Sequence, residues 1–197
     1  MQHYFIIYKP YMVLSQFSAQ LNKQTLADYF KVPTDVYPVG RLDEDSEGLL
    51  LLTNDKQLNH RLLNPQFAHE REYWVQVDGS ITDSALAQLT TGVEISIDGK
   101  AHKTKPCKAM LFDSDPALPP RVPPIRYRQN IAAPWIKLVL AEGKNRQVRR
   151  MTAKVGYPTL RLVRYRIEEL MLNTMQPGEI ISLPKNTVYK KLFSRWG

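Results

Sequence analysis

Residues 39–55 read VGRLDEDSEGLLLLTND, a crowd of carboxylates that leads directly into four consecutive leucines. An apolar run of this length predicts a buried strand. Asn54 or Asp55 can then cap a helix that ends near Leu63, before Pro65. The acidic loop at residues 40–48 is therefore expected at the entrance to a core strand.

Outward from this segment, strand patterns outnumber helical ones. Short apolar or alternating runs predict strands at residues 3–8, 13–14, 71–77, 93–97, 101–111, 135–140, 160–167 and 179–183. Further helices are predicted at residues 24–30, 82–89 and 145–154. Because hairpin signals such as Asp98-Gly99 join several strands, we expect an α+β fold with a mixed, mostly antiparallel sheet. The same pattern argues against a doubly wound parallel fold.

Residues 112–134 interrupt this pattern. They hold six of the fourteen prolines and are predicted to form a long extended loop. The basic end of the loop, residues 121–128, and the basic aromatic tail, residues 190–197, either contact phosphates or are solvated.

Composition limits the function. The chain has 197 residues, enough for one domain or two closely packed subdomains, and its net charge of +8 favours a polyanion such as nucleic acid, or a membrane surface. The single cysteine, Cys107, excludes an internal disulfide and a cysteine-rich metal site. No run approaches the roughly 18 apolar residues of a spanning helix, and the N-terminus shows no signal-peptide pattern. We expect a reducing, cytoplasmic setting.

The acidic loop allows three interpretations. Its acids and Gly48 imitate the first half of an EF-hand calcium loop, but Asn54 stands where a bidentate Glu is needed. It is otherwise a solvated turn, or it carries a catalytic carboxylate. Arg41 and Asp43 favour the last reading, because alternate residues of an extended segment share a side. A neighbouring cation keeps a carboxylate ionised, as a nucleophile requires.

A second charged segment, residues 142–151, reads EGKNRQVRRM. It is not a P-loop, because Leu138 stands where the first glycine is required and Asn145 where Ser or Thr is required. Its four cations near a helix start oppose the helix dipole unless they face an anion. They form either a solvated face or a surface for RNA phosphates or for a catalytic carboxylate. They are Lys144, Arg146, Arg149 and Arg150.

Taken together, these segments resemble the pseudouridine synthases of the branch that modifies small- and large-subunit ribosomal RNA, the RsuA-like family. YFIIYKPYMVLSQ resembles the opening strand and turn of that branch, and VYPVGRLDEDSEGLLLLTND its aspartate motif. EREYWVQV resembles the motif with a stacking tyrosine, a role for which an aromatic ring beside RNA is suited. EGKNRQVRRM with RLVRYRI resembles its third motif.

The resemblance implies a pseudouridine synthase fold and a residue assignment. Asp43, Tyr73 and Arg149 would be catalytic, with Arg149 pairing with Asp43 and Tyr73 stacking on the target uracil. Residues 1–197 would form one catalytic domain of two subdomains, divided near residues 65–70, with a basic cleft and no S4 domain. RNA contacts would come from Arg41, Lys144, Arg146, Arg150, Arg161 and Arg164.

The implied reaction flips a uridine out of ribosomal RNA and converts it to pseudouridine without a cofactor or metal. The resemblance favours the 23S RNA of the large subunit as substrate, and we expect no role for DNA or a membrane. We also expect a monomer, because the sequence shows no exposed heptad pattern and no obvious interface stripe. The resemblance leaves open whether Asp43 attacks the nucleotide covalently or drives formation of a ribose-derived glycal. Two other functions remain open: the same chemistry on transfer RNA, and a non-catalytic RNA-binding protein of ribosome assembly.

Overall fold

The structure is a computed structural model that describes residues 1–126 and 129–194. The chain divides into two compact units: unit 1 comprises Met1–His69 and Val163–Gly197, and unit 2 comprises Glu70–Leu162. Two residues at the basic end of the Pro-rich loop, including Arg128, and three residues of the tail lie outside the described residues. The predictions made for them are not addressed by the structure.

The elements follow one another in this order: β1 (Tyr4–Lys9), β2 (Val13–Leu14), β3 (Gln24–Thr25), a 3-10 helix (Leu26–Asp28), β4 (Tyr37–Pro38), β5 (Glu47–Thr53), α1 (Lys56–Leu63), a 3-10 helix (Pro65–Phe67), β6 (Arg71–Val77), α2 (Asp83–Thr91), β7 (Glu94–Ile97), β8 (Lys100–Lys103), β9 (Lys108–Leu111), β10 (Trp135–Leu140), α3 (Gln147–Lys154), β11 (Thr159–Ile167), β12 (Leu170–Met171), β13 (Ile180–Ser182) and α4 (Lys185–Phe193). The described part of residues 112–134 contains no helix or strand.

Unit 1 is built around the leucine-rich strand β5, all seven residues of which are buried. β5 pairs antiparallel with β1 and β4, and parallel with the second half of β11, where Val163 lies opposite Glu47. β13 extends the sheet on the other side of β1. Alternate side chains of β5, Leu50 and Leu52, enter a core cluster with residues of β1, β2 and the first 3-10 helix. The predicted buried strand is therefore confirmed.

Unit 2 contains an antiparallel ladder of β6, β10 and β9, in which Tyr73 lies opposite Leu138 and Leu138 opposite Ala109. One face of this ladder, including Val75 and Ile136, forms a core with residues of α2 and α3. The hairpin predicted at Asp98-Gly99 is confirmed, since β7 and β8 pair on either side of it. The predicted α+β class with a mostly antiparallel sheet is confirmed in the pairings of both units.

The helix predicted at residues 24–30 is wrong. Gln24–Thr25 is a strand that pairs parallel with β2, and only Leu26–Asp28 is helical, as a 3-10 turn. The Asp28 carboxylate accepts hydrogen bonds from the Thr25 backbone N–H at 2.7 Å and from the Thr25 hydroxyl at 3.1 Å. Such side-chain bonds to nearby backbone compete with helix propagation and favour a short capped turn.

Three further boundaries differ from prediction. The strand predicted at residues 101–111 is two strands, β8 and β9, with Pro106 in the gap, where a residue without an N–H cannot serve a ladder. The helix predicted from residue 145 begins at Gln147, because Arg146 has the left-handed backbone with φ 49°. The predicted basic tail begins inside α4, whose Val188, Leu192 and Phe193 are buried.

Candidate active site

Asp43 lies in the turn that precedes β5 and is half-buried. Its carbonyl accepts a hydrogen bond of 3.0 Å from the Ser46 N–H, which closes the turn. The preceding residue, Leu42, is held at both backbone groups by the buried Ser15 hydroxyl, which donates to the Leu42 carbonyl at 2.7 Å and accepts from its N–H at 3.0 Å. The backbone on both sides of Asp43 is thus fixed by neighbouring groups of unit 1.

Lys9, at the end of β1, also holds this loop and was assigned no role from the sequence. Its side chain is fully buried. The Lys9 ammonium donates to three carbonyls, those of Pro10 at 2.8 Å, Val13 at 2.7 Å and Glu44 at 3.3 Å. Burial lowers the pKa of Lys9 to about 7, and the nearby carboxylates of Glu47, Asp45, Asp43 and Glu44 partly oppose that shift.

Two other charged residues of the acidic loop, Glu44 and Arg41, reach solvent, whereas Glu47 is buried. Glu44 forms a surface ion pair of 2.6 Å with Lys23, a kind of contact that contributes little to stability. Arg41, which was predicted to share a side with Asp43, is exposed. Within residues 1–126 and 129–194, no group of three or more His, Cys, Asp or Glu side chains is arranged to hold a metal ion.

Tyr73 projects from β6 towards the helix-bearing core of unit 2 and is half-buried against it. Its neighbour Trp74 projects from the opposite face, as alternation along a strand requires. The Trp74 indole N–H donates to the Glu72 carboxylate at 2.8 Å, which fixes the tryptophan on that side. The two adjacent aromatic residues of the REYWVQV motif thus serve different faces of the sheet.

The four cations of the third motif cluster at the start of α3. Lys144 and Arg146 are exposed, whereas Arg149 and Arg150 are half-buried. The Arg150 guanidinium donates to the Ser96 carbonyl on β7 and to the Asn145 side-chain oxygen at 3.2 Å. Among the described residues, the Arg146 side chain at the N-cap makes no capping hydrogen bond, and the backbone N–H groups at a helix start themselves attract anions.

Arg161 and Arg164, both predicted to contact phosphate, are almost wholly buried. Arg161 donates to the Pro119 carbonyl at 2.9 Å and lies 5.8 Å from the Trp135 ring centroid. Arg164 donates to the Leu49 carbonyl at 2.8 Å, within unit 1. These contacts support the structure of each unit, and the phosphate roles of the two residues stay predictions.

The structure gathers the predicted residues in two groups. Arg41, Asp43 and Arg164 belong to unit 1, around the start of β5. Tyr73 and Arg161 belong to unit 2, as do the four cations at the start of α3.

Comparison with known proteins identifies the class. Residues 3–154 match the RNA pseudouridylate synthase family, and the chain belongs to that family. A crystal structure of a pseudouridylate synthase covers 98% of this chain and 74% of its own, with a TM-score of 0.79 and 26% sequence identity. The family resemblance and the pseudouridine synthase fold predicted from the motifs are both confirmed.

Two curated relatives are similar over most of the chain. One, from Vibrio parahaemolyticus, is 48% identical over 88% of this chain and 71% of its own length. The other, from Xanthomonas axonopodis pv. citri, is 49% identical over 87% of this chain and 89% of its own length. Both carry the name ribosomal large subunit pseudouridine synthase E. This enzyme is a member of the branch that the motifs of this sequence resemble. In the described part of the chain, no helix is long and apolar enough to cross a membrane.

Proposed function

We propose that this enzyme converts a uridine of ribosomal RNA, in the 23S RNA of the large subunit, to pseudouridine. The observation that carries the proposal is the name of the relatives that are 48–49% identical over almost nine tenths of the chain. The net charge of +8 supports a polyanionic substrate. We place the reaction in the cytoplasm and assign it to a monomer with one catalytic domain, without a role for DNA.

The reaction begins when the target uridine leaves the RNA stack, at a cost of a few kcal/mol that is smallest in a loop. The C1′–N1 glycosidic bond breaks, the uracil turns over, and C5 bonds to C1′. C5 then loses its proton, and N1 ends protonated. Reactant and product contain the same atoms in the same oxidation state, so the isomerisation consumes no co-substrate.

We assign the glycosidic step to Asp43. An ionised carboxylate can attack the sugar covalently, or it can abstract a proton from the ribose to form a glycal. Either route requires that the carboxylate be held in a fixed orientation towards the sugar. The clamp by Ser15 and the ammonium of Lys9 support this role, because they hold the backbone on both sides of Asp43.

Tyr73 and Arg149 complete the proposed catalytic set. A tyrosine ring offers a flat surface on which the uracil can stack, and its hydroxyl can take part in late proton removal. A guanidinium keeps a partner carboxylate ionised and fixes its orientation through bidentate hydrogen bonds. Both side chains are half-buried, so part of each is packed against the protein and part remains accessible to solvent.

Phosphate contacts are proposed for Arg41, Lys144, Arg146 and Arg150. Arg41, Lys144 and Arg146 are exposed and hence available to RNA. Each contact with single-stranded RNA contributes about 0.7 to the slope of log K against log salt. Removal of one of these charges should lower that slope by the same amount.

The deciding experiment compares wild-type protein with Asp43→Asn on unmodified transcripts of 23S, 16S and transfer RNA, with carbodiimide adduct mapping of pseudouridine. Asp45→Asn is the matched control, because it makes the same chemical change two residues away in the same loop. We expect one new pseudouridine in 23S RNA with wild type and with Asp45→Asn, and none with Asp43→Asn, while all three bind RNA equally.

The other outcomes favour other functions. A product in transfer RNA alone would move the substrate to that class while leaving the chemistry intact. If wild type and Asp43→Asn bind RNA equally and neither forms pseudouridine on transcripts or on large-subunit assembly intermediates, the protein is a binding factor of ribosome assembly.

A further inference from the structure

The bend between β10 and α3 carries the cations of the third motif, yet its backbone lacks the usual support. It spans residues 141–146, contains the left-handed Arg146 with φ 49°, and leads into a helix whose N-cap residue makes no side-chain capping hydrogen bond among the described residues. A non-glycine residue in that conformation costs about 1–2 kcal/mol. Other contacts must therefore hold the bend.

Two side chains of unit 2 hold it. The Glu142 Oε1 accepts a hydrogen bond of 2.7 Å from the Gln147 side-chain amide. The carbonyl oxygen of the same amide accepts one of 2.9 Å from the Lys144 backbone N–H. Gln147 is only 4% exposed, so its amide is confined to these partners and to a 3.7 Å contact with the Met151 sulfur. The Gln147 side chain therefore links Glu142 to the Lys144 backbone, and these two hydrogen bonds close the bend.

The Glu142 carboxylate also reaches a second segment. Its Oε1 accepts a hydrogen bond of 2.8 Å from the Lys105 backbone N–H, in the connection between β8 and β9. Its Oε2 lies 3.4 Å from the His102 Nε2. The carboxylate is largely buried, with 9% of the side chain exposed. A buried carboxylate strengthens the bonds that it accepts and is costly to leave without them.

We propose that Glu142 is a positioning residue: through Gln147 it fixes the start of α3, from which Arg149 and Arg150 project, and through Lys105 it ties that start to the β8–β9 connection. Glu142 does not itself meet the substrate in this scheme. The inference rests on the proposed function, because its effect on activity passes through Arg149. Its structural part, the hydrogen-bonded bend, stands on the contacts alone.

The pair offers a swap that tests this role. In Gln147→Glu, the amide that donates to Glu142 is replaced by a carboxylate, so two groups of like charge face one another and the donor to Glu142 is lost. In the double variant Glu142→Gln with Gln147→Glu, the amide and the carboxylate exchange places. The amide at position 142 then donates to the carboxylate at position 147, which also accepts from the Lys144 N–H, so the bend and the net charge are retained. The hydrogen bond from the Lys105 N–H is lost, because in the wild type it shares the Glu142 Oε1 with the Gln147 amide and in the swap an N–H group takes that place.

We expect kcat on the substrate RNA to fall about 100-fold in Gln147→Glu and in Glu142→Ala, because displacing a catalytic group by about 1 Å causes a loss of this size. The double variant should recover most of the wild-type kcat. KM for RNA should change little, because the exposed cations proposed to contact phosphate, Arg41, Lys144 and Arg146, remain. Glu94→Gln, which removes an exposed carboxylate of β7, is the matched control and should match wild type. Amide exchange of Lys144 should quicken in Gln147→Glu and slow again in the double variant, in which Lys105 should exchange fast because its N–H has lost its acceptor.

Three results would overturn the proposal. They are wild-type kcat in Glu142→Ala, failure of the double variant to recover kcat although the Lys144 amide is protected again, and a loss of kcat that follows the loss of thermal stability in every variant. If wild type itself makes no pseudouridine, the proposed function fails, and the exchange data still decide whether the bend is held as described.

Discussion

Replacement of Gly48 by alanine tests the packing on which the catalytic loop depends. Gly48 lies in β5 with φ +113°, and a Cβ atom at this position would lie 2.4 Å from the Arg164 carbonyl oxygen and 2.7 Å from the Arg164 nitrogen. Both atoms are backbone of β11, which pairs with β5 at this point. They cannot turn away as a flexible side chain would.

The cost has two parts. A positive φ strains an alanine by about 1–2 kcal/mol, and forcing a packed backbone apart costs about 1–3 kcal/mol. Together the free energy of unfolding should fall by about 2–5 kcal/mol, a large share of the 5–15 kcal/mol typical of a domain. Gly99→Ala separates the parts, because Gly99 also has a positive φ, +78°, but apart from its chain neighbours no atom of the described residues lies within 4 Å of its Cβ position.

The assay is urea unfolding followed by circular dichroism, with the midpoint and slope compared for wild type, Gly48→Ala and Gly99→Ala. Gly99→Ala should lose only the strain part. If Gly48→Ala unfolds no earlier than Gly99→Ala, the contact with β11 is not as close as described and the reasoning fails. A folded Gly48→Ala should also lose activity, because the proposed catalytic residue Asp43 lies only five residues before the displaced Gly48.

Three further perturbations follow from buried polar groups. Asp55→Asn should cost about 2–3 kcal/mol, since the Asp55 carboxylate caps α1 and accepts from the Tyr4 and Tyr189 hydroxyls at 2.7 and 2.8 Å. Burial alone would raise the pKa of Asp55, but these hydrogen bonds hold it below its usual value. The stabilisation by Asp55 is therefore present near neutral pH and is lost as the pH falls through the lowered pKa. The free energies of unfolding of wild type and Asp55→Asn, measured by urea titration, should accordingly converge between pH 7 and pH 3. Burial lowers the pKa of Lys9 to about 7, whereas in the unfolded chain this lysine keeps its proton to a higher pH. Between pH 7 and pH 9 the free energy of unfolding of wild type should therefore rise by on the order of 2 kcal/mol relative to that of Lys9→Met. Parallel curves of stability against pH for the two proteins would contradict this. Burial raises the pKa of Cys107 to about 11, so a thiol reagent at pH 8 should label it only after urea is added, and rapid labelling of the native protein would show an accessible thiol.

Local signals in the sequence predicted much of the fold. The leucine run and the following Asn54-Asp55 predicted a buried strand and a capped helix, and the structure selects Asp55, whose carboxylate accepts from the Gln57 and Leu58 N–H groups. The hairpin at Asp98-Gly99 was predicted equally well, because both central residues take the positive φ that such turns require. In these cases the deciding partners lie within a few residues of one another.

Partners far apart in sequence explain the failures. Residues 190–197 were predicted only as a basic aromatic tail, because Lys190 and Lys191 dominate the start of that segment, yet α4 packs Val188 and Phe193 into unit 1. The role of Lys9 depends on the Glu44 carbonyl, 35 residues away, and that of Glu142 on the Lys105 N–H, 37 residues away. No periodicity or spacing reports such contacts.

Burial separates two kinds of polar residue within the recognised motifs. Lys9, Gln147 and Arg164 are at most 4% exposed, and each bonds the backbone of its own unit. Asp43, Tyr73 and Arg149 are half-buried and keep surface that a flipped nucleotide can reach. Substitution of Lys9 or Arg164 should therefore lower stability and activity together, whereas Asp43→Asn should abolish activity in a protein that unfolds at the wild-type urea concentration. The resemblance identifies the motifs, and the burial of each side chain separates the residues that hold the backbone from those proposed for the chemistry.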